Sequence, residues 1–275
     1  MGEESKYGIL IKKHSKQFSN IKIIYLVLYI LQTNVESRNF GISIDNTNRV
    51  AMVPVSDLLN HDKNPDVSWH FNQKSRSFKM LSNRYLKKGK AITDSYGKKS
   101  NINYLLFYGF TLENNTNNNV LYINIVHTKD NIELKNYIMK NVKGYLNVDT
   151  NSTIFHDILL FFRVSLSSSD TLKSNKIISY YQEPTSIDNE KMVINAFIIY
   201  LNTLLKNYKY FNKNSINTFE QYSVSWNIYN LIMSEINIIL FYIEYLNNIR
   251  RFMEGDNVIV KKKYDIYYNM IENII

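Results

Sequence analysis

The chain has 275 residues, 45% of them hydrophobic and 21% charged, enough for one large domain or two modest ones with a sizeable core. Cysteine is absent, which excludes disulfides, thiolate metal sites and a cysteine nucleophile. The net charge of +9 is uneven, because residues 1–119 hold 17 Lys and Arg against 9 Asp and Glu. Such a front half could face nucleic acid. Its cations form no arginine-rich groove with aromatics between them, so the excess reads as a solvated, lysine-biased surface and a nucleic-acid partner is not expected.

The first apolar run, IKIIYLVLYIL from Ile21 to Leu31, is interrupted by Lys22. It is far short of the roughly 20 residues that a membrane span needs. INIILFYIEYL, Ile236 to Leu246, carries Glu244 and is also too short. No transmembrane helix is expected. The opening MGEESK has Lys6 where a myristoylation signal wants Ser or Thr. With no secretion signal and no disulfide framework, an intracellular site, cytoplasmic or nuclear, is expected.

From Arg49 to Tyr96 the pattern is one of short strands. RVAMV ends at Pro54, which cannot donate to a ladder. VSWHF, Val67 to Phe71, alternates apolar and polar residues; NQKSR is the turn and SFKML returns. LKKGKAITDSYG gives a turn at Gly89, a further strand and a stop at Gly97. Two or three antiparallel strands are predicted here. The Asn-rich ENNTNNN, Glu113 to Asn119, marks a domain boundary.

From about Ile132 the spacing becomes helical. STIFHDILLFFRVSL is one predicted helix. SIDNEKMVINAFIIYLNTLLKNY is another, with Val193, Ile194, Phe197, Ile198, Leu201, Leu204, Leu205 and Tyr208 on one face. Thr185 and Asp188 match a capping box at its start. A third, WNIYNLIMSEINIILFYIEYLNNIRR, ends in Arg250 and Arg251, where cations suit the helix terminus.

VPVSDLLNHDKNP, Val53 to Pro65, holds the densest set of chemical side chains: Asp57, Asn60, His61 and Asp62. A metal site at Asp57, His61 and Asp62 lacks the HxxxH or HxE spacing that places ligands on one face. A hydrolase triad lacks GxSxG. A third reading is structural, with Asn60 capping a turn and His61 packed.

The succession of motifs along the chain adds to these readings. Asp-x-x-Asn-His at 57–61 is followed by a hairpin, then by SYGKKSN at 95–101 and YGF at 108–110. This order resembles the latter part of a SET domain, in the branch similar to the Rubisco large-subunit methyltransferase. VESRNF, Val35 to Phe40, resembles the segment that ends a helix in that branch's inserted region. LLFFRVSL and the 184–208 stretch resemble its helical substrate-binding domain. The resemblance runs from about Ile21 to about Asn248.

The resemblance implies an α+β fold: a partial SET-type β fold with antiparallel hairpins, followed by an all-helical domain. The limits would be 1–116 for the SET part, including the end of its insertion, and 120–275 for the helical domain. It also implies methyl transfer from S-adenosyl-L-methionine to a lysine of a protein substrate, with no metal. Asp57, Asn60, His61, Tyr96, Tyr108 and Phe110 would line the cofactor pocket. Tyr96 would be the catalytic tyrosine beside the methyl group, and Arg38 and Phe40 would sit on the substrate side.

The chain also departs from that pattern. No two of its glycines are two apart, so the GxG-type strand that opens a SET domain is missing, and the chain begins in what would be the insertion. Asp94 stands where the family has a neutral or hydrophobic residue. The sequence therefore suggests either a fragment of a working enzyme or a reduced, catalytically inactive module that binds a partner protein. In both cases the hairpins should expose apolar faces that the lost strands would cover.

Overall fold

The computed structural model describes residues 31–123, 144–167, 179–184, 186–208, 218–255 and 265–272. The chain forms two compact units, Met1–Lys98 and Lys99–Ile275. Thr185, the run Ile21 to Ile30 and the helical pattern expected from Ile132 to Lys143 lie outside the described residues. Among the described residues, no helix is long and apolar enough to cross a membrane.

In the first unit, residues 31–37 are helical. β1 (Asn39–Ile44) and β2 (Thr47–Met52) then form an antiparallel hairpin, with Gly41 opposite Val50. The turn residues Asp45 and Asn46 have φ of 50° and 60°. That is the left-handed geometry of a two-residue hairpin turn, which Asp and Asn tolerate through local hydrogen bonding. The sequence reading began the strands at Arg49 and missed β1. The Asp-Asn pair following the alternation Phe40, Ile42, Ile44 was the available signal.

β3 (Asn60–His61) comes next, then the antiparallel hairpin of β4 (Val67–Asn72) and β5 (Ser77–Ser82), which sets Trp69 opposite Met80. The NQKSR turn is where the sequence put it. Phe40 meets Trp69 edge-on at 5.2 Å and Phe78 at 5.1 Å, while Trp69 and Phe78 stack at 5.3 Å. These three rings hold the two hairpins together, each ring pair adding about 1 kcal/mol beyond its buried area. Gln73 Nε2 also donates to the Ser43 carbonyl, so the two hairpin turns are tied.

β6 (Thr93–Asp94) pairs with β3, and the pairing is parallel, Asn60 opposite Thr93 and His61 opposite Asp94. This corrects the antiparallel expectation for the 87–97 stretch. It also corrects the reading of Asn60 as a turn cap. A parallel partner comes from a distant segment, so no local turn signature announces it. Exposed apolar side chains are present as expected: Val50 and Met52 on β2 are 68% and 53% exposed, and Val55 and Leu58 beyond it 74% and 68%.

The second unit opens with α1 (Asn101–Tyr108), closed by Gly109 in the left-handed conformation at φ 78°. The Asn-rich stretch after it packs against α1. Asn101, Asn115 and Asn119 are buried. The Asn101 backbone N–H donates to Asn119 Oδ1 at 2.9 Å, and the Asn101 side chain bonds the Leu112 backbone in both directions, each at 3.0 Å. Asn115 Nδ2 donates to the Lys99 carbonyl at 2.8 Å. Thr111 N–H donates 2.7 Å to Asn227 Oδ1 of the long helix below. A composition that resembles a loop is here a satisfied buried network.

β7 (Leu121–Tyr122) and β8 (Tyr145–Leu146) make a short antiparallel pair. The remaining described elements are helices: α2 (Thr153–Leu166), α3 (Ser179–Gln182), α4 (Ile187–Lys206), α5 (Val224–Met253) and α6 (Ile266–Glu272). α2, α4 and α5 start at Ser152, Ser186 and Ser223, each hydroxyl accepting a backbone N–H at 3.2 Å. Such a cap contributes about 1 kcal/mol. The cap of α4 is thus Ser186, one residue beyond the Thr185 expected from sequence. The predicted apolar stripe of α4 is buried from Val193 to Leu201, with Phe197 stacked on Phe162 at 4.7 Å.

Two polar features lie inside this helical core. Arg163 of α2 and Glu190 of α4, with side chains 1% and 0% exposed, form a bidentate pair at 2.9 and 2.6 Å. His156 of α2 has both ring nitrogens buried without a hydrogen-bond partner among the described residues. Burial, and then the charge of Arg163, lower its pKa. The unfolded chain therefore takes up the His156 proton more readily than the folded one. Stability contributed by the neutral ring is full above the ordinary histidine pKa of about 6.5 and is lost as pH falls below it. His156→Leu should remove this slope, seen as a melting temperature that no longer drops between about pH 7 and pH 5. An unchanged slope in the variant would refute the assignment.

Candidate functional site

Val55 leads into the site with φ 73° and ψ −45°, close to the rare γ-turn geometry and strained for a β-branched residue. A short 3-10 turn, Ser56–Leu58, comes next, and it delivers Asn60 and His61 as β3. On the far side, Asp66 clamps β6. Its carboxylate accepts from Thr93 N–H at 3.1 Å, from Thr93 Oγ1 at 3.0 Å and from Arg84 Nε at 2.6 Å. Arg84 and then Thr93 hold the Asp66 carboxyl below the usual carboxylate range. Sequence reasoning missed Asp66, Thr93 and Arg84. Their spacing follows no motif, because the contacts depend on the parallel pairing.

Two residues past β6, Tyr96 turns back onto β3. Its backbone N–H donates to His61 Nδ1 at 3.0 Å, and its hydroxyl donates to the Leu59 carbonyl at 2.7 Å. The two rings lie 5.3 Å apart with planes tilted by 34°. Because Nδ1 accepts, the neutral imidazole carries its proton on Nε2. Gly97 is next, with φ 83°, a backbone angle that glycine takes without a Cβ clash. His61 and Tyr96, 35 positions apart, are thus brought together and half-buried, with the exposed Asn60 next to His61 on β3.

Arg38 and Asp57 are also brought together. Arg38 Nη1 donates to the Asp57 carbonyl at 2.9 Å and sits 3.9 Å from its carboxylate. Phe40, expected on a substrate-facing side, is buried against Trp69 and Phe78. Tyr108 and Phe110 belong to the second unit, where Phe110 stacks on Tyr104 at 5.1 Å and Lys99 Nζ lies 5.9 Å over the Tyr108 ring. Burial raises the pKa of both Tyr104 and Tyr108. Among the described residues, no group of three His, Asp or Glu could hold a metal ion.

Asp94, flagged in the sequence, is 3% exposed. Burial raises its pKa, against the pull of the Ser95 N–H and the Trp69 indole N–H. A carboxyl with a raised folded pKa gives stability that is full below the ordinary carboxyl pKa of about 4 and is lost as pH rises through the folded value. Asp94→Asn keeps an acceptor for Trp69 without the charge. It should raise the melting temperature at pH 7 and flatten its fall between about pH 4 and neutrality. A lower melting temperature at pH 7 would show that the carboxylate form is the favoured one.

No protein-family model matches the chain. It is 28% identical over 160 residues to the ribosomal lysine N-methyltransferase set10 of Schizosaccharomyces pombe, a match covering 53% of this chain and 29% of that protein. Among solved structures, the SET domain of LSMT bound to lysine and AdoHcy aligns with a TM-score of 0.58 at 19% identity, over 86% of this chain and 61% of that one. Rubisco LSMT bound to AdoMet aligns with a TM-score of 0.57 at 18% identity, over 86% and 60%.

The chain has the SET-domain fold of Rubisco LSMT.

It spans about three fifths of the length of those LSMT chains and less than a third of the yeast protein. The α+β class, with small hairpins followed by helices, agrees with that fold. Within the LSMT-like fold, Asp-x-x-Asn-His supplies β3, and the tyrosine before Gly97 is the residue that closes back on it.

Proposed function

We propose that the chain acts in S-adenosylmethionine-dependent methylation of a protein lysine. The observation that carries this reading is the closure of Tyr96 onto Leu59 and His61 in a SET-domain fold. The residues fit a sulfonium cofactor. They offer a carbonyl, a phenol, an amide and an imidazole, all polar, and the imidazole lone pair on Nδ1 is taken by the Tyr96 N–H rather than turned to the methyl. The cofactor, S-adenosyl-L-methionine, supplies an electrophilic methyl on sulfur. A neutral lysine amine aligned with it would take that methyl, leaving S-adenosylhomocysteine and giving up its surplus proton to solvent.

The chain's own part is positioning and the exclusion of water. Asn60 and His61 hold the cofactor on β3, with Asp57 on the same wall. Tyr96 presents its oxygen beside the methyl group, held there by Leu59. Arg38, held on the Asp57 carbonyl, supports the substrate side. In this reading residues 1–116 are the SET part and 120–275 the helical substrate-binding part, and the protein works inside the cell, in cytoplasm or nucleus.

Titration of the chain with S-adenosylhomocysteine tests this. Binding with a Kd below about 1 mM is expected. No binding at millimolar concentration would overturn an autonomous methyltransferase and leave the inactive, partner-binding module.

A further inference from the structure

The segment Asp265–Glu272 docks back onto the helical core of the second unit. Tyr267 and Ile271 of α6, about one turn apart, are both 0% exposed. Asp265, just ahead of the helix, is the hub of the docking bonds. Its Oδ2 accepts from Thr150 Oγ1 at 3.1 Å, and its Oδ1 accepts from the Tyr245 hydroxyl at 2.8 Å and the Tyr267 N–H at 3.1 Å. The Ile266 N–H donates to Asn151 Oδ1 at 3.0 Å, and the Tyr267 hydroxyl donates to Glu190. Against this segment stands His156 of α2, its ring 6.5 Å from the Tyr267 ring and edge-on to it. Both of its nitrogens are buried with no hydrogen-bond partner among the described residues.

We propose that Asp265–Glu272 is an acid-released latch, docked while His156 is neutral and set free when His156 takes a proton. The proposal does not rest on the methyl-transfer reading. An imidazolium carries two N–H donors, and a buried charged donor is costly unless an acceptor meets it. The described charged groups that act on His156 are Arg163 and Asp157 of its own helix and Asp265 of the latch. Arg163 repels the new charge. From α4, Glu190 is already taken by Arg163 and Tyr267. Asp157 is the next residue along the helix, and side chains so placed do not face each other. Asp265 is the carboxylate across the interface, and its oxygens already accept from Thr150, Tyr245 and Tyr267. To meet the imidazolium it must give up bonds that dock the latch. Protonation therefore loosens the segment whether Asp265 turns or stays. A helix of seven residues does not hold its shape alone in water, so once released it melts. Burial, then Arg163, lower the pKa of His156, and the undocked state takes the proton more readily than the docked one. Docking is thus full above the ordinary histidine value of about 6.5 and weakens as pH falls below it.

The test is backbone hydrogen exchange on the full 275-residue chain, corrected for the intrinsic rate at each pH. Between about pH 7.5 and about pH 5.5, the α6 amides should lose about tenfold in protection, the change that one proton allows, while those of α4 and α5 keep theirs. His156→Leu should leave α6 equally protected at both pH values. The His156 ring titration, followed by NMR in the unaltered chain, gives a second readout, with a midpoint expected below about 6.5. A loss under about twofold, an equal loss across α4 and α5, a loss that persists in His156→Leu, or a His156 midpoint above about 6.5 would each overturn the proposal.

Discussion

Tyr96→Phe is expected to lower methyl transfer by at least about a hundredfold, the scale seen when one preorganised polar group is removed from a reacting centre. The substitution takes away one oxygen and leaves the ring against His61. The hydrogen bond it deletes, from the hydroxyl to Leu59, is half-buried. Its loss costs about 1 kcal/mol. The melting temperature should therefore fall by only a few degrees. The two readouts must separate: transfer measured with labelled methyl donor falls steeply, while thermal unfolding barely moves. A variant that keeps activity but loses much of its stability would make Tyr96 a packing residue. The backbone N–H bond to His61 survives the change, so β3 and β6 should keep their register.

Glu190→Ala should destabilise the helical unit by about 3–5 kcal/mol, measured by denaturant unfolding, against a total of about 5–15 kcal/mol for a typical domain. Two groups lose their partner at once. Arg163 loses both arms of its bidentate contact and remains buried with, among the described residues, the Tyr181 and Gln182 carbonyls, at 3.1 and 2.8 Å, and the neutral Tyr267 phenol beside it. Burial alone would lower the pKa of Arg163; the hydrogen bonds and charge of Glu190 outweigh that and raise it. The Tyr267 hydroxyl, which donates to Glu190 at 2.6 Å, loses its acceptor. In the intact protein, burial first and then the charge of Glu190 push that phenol well above its ordinary pKa. Exchanging both charged partners, Arg163→Met with Glu190→Leu, should recover most of the loss, because no unpaired charge is left in the core. A loss below about 1 kcal/mol in the single variant would mean that water reaches Arg163 and the pair is not sealed.

Those two sites differ in how far the sequence announced them. The apolar stripe of α4 repeats at helical spacing, so Val193, Phe197 and Leu201 were legible as core. Tyr96 was legible only through the order of motifs, since one tyrosine among 22 says nothing by itself. Glu190 gave no signal, because a charged residue in a first helical turn usually points into solvent; only the facing Arg163 makes its burial tolerable. The burial of Asn115 and Asn119 was hidden for a related reason. Asparagine favours loops when its amide is solvated, and it builds a network when other amides are near, a choice made by tertiary neighbours. The parallel β3–β6 pair and the Asp66 clamp were hidden because both partners are short and widely separated. Phe40, placed by resemblance on a substrate-facing side, lies in the ring cluster because the alternation of β1 turns it inward with Ile42.

The His61–Tyr96 contact spans 35 positions of chain. Closing a loop of that length costs about 3 kcal/mol before any contact is formed. The hairpin within the loop is local and can form early, shortening the gap that remains. The tyrosine wall is therefore expected to assemble last in its unit, and to open first under mild denaturant. Substitutions that slow the hairpin, such as Trp69→Ala, should delay the arrival of Tyr96 although they touch no residue of the wall.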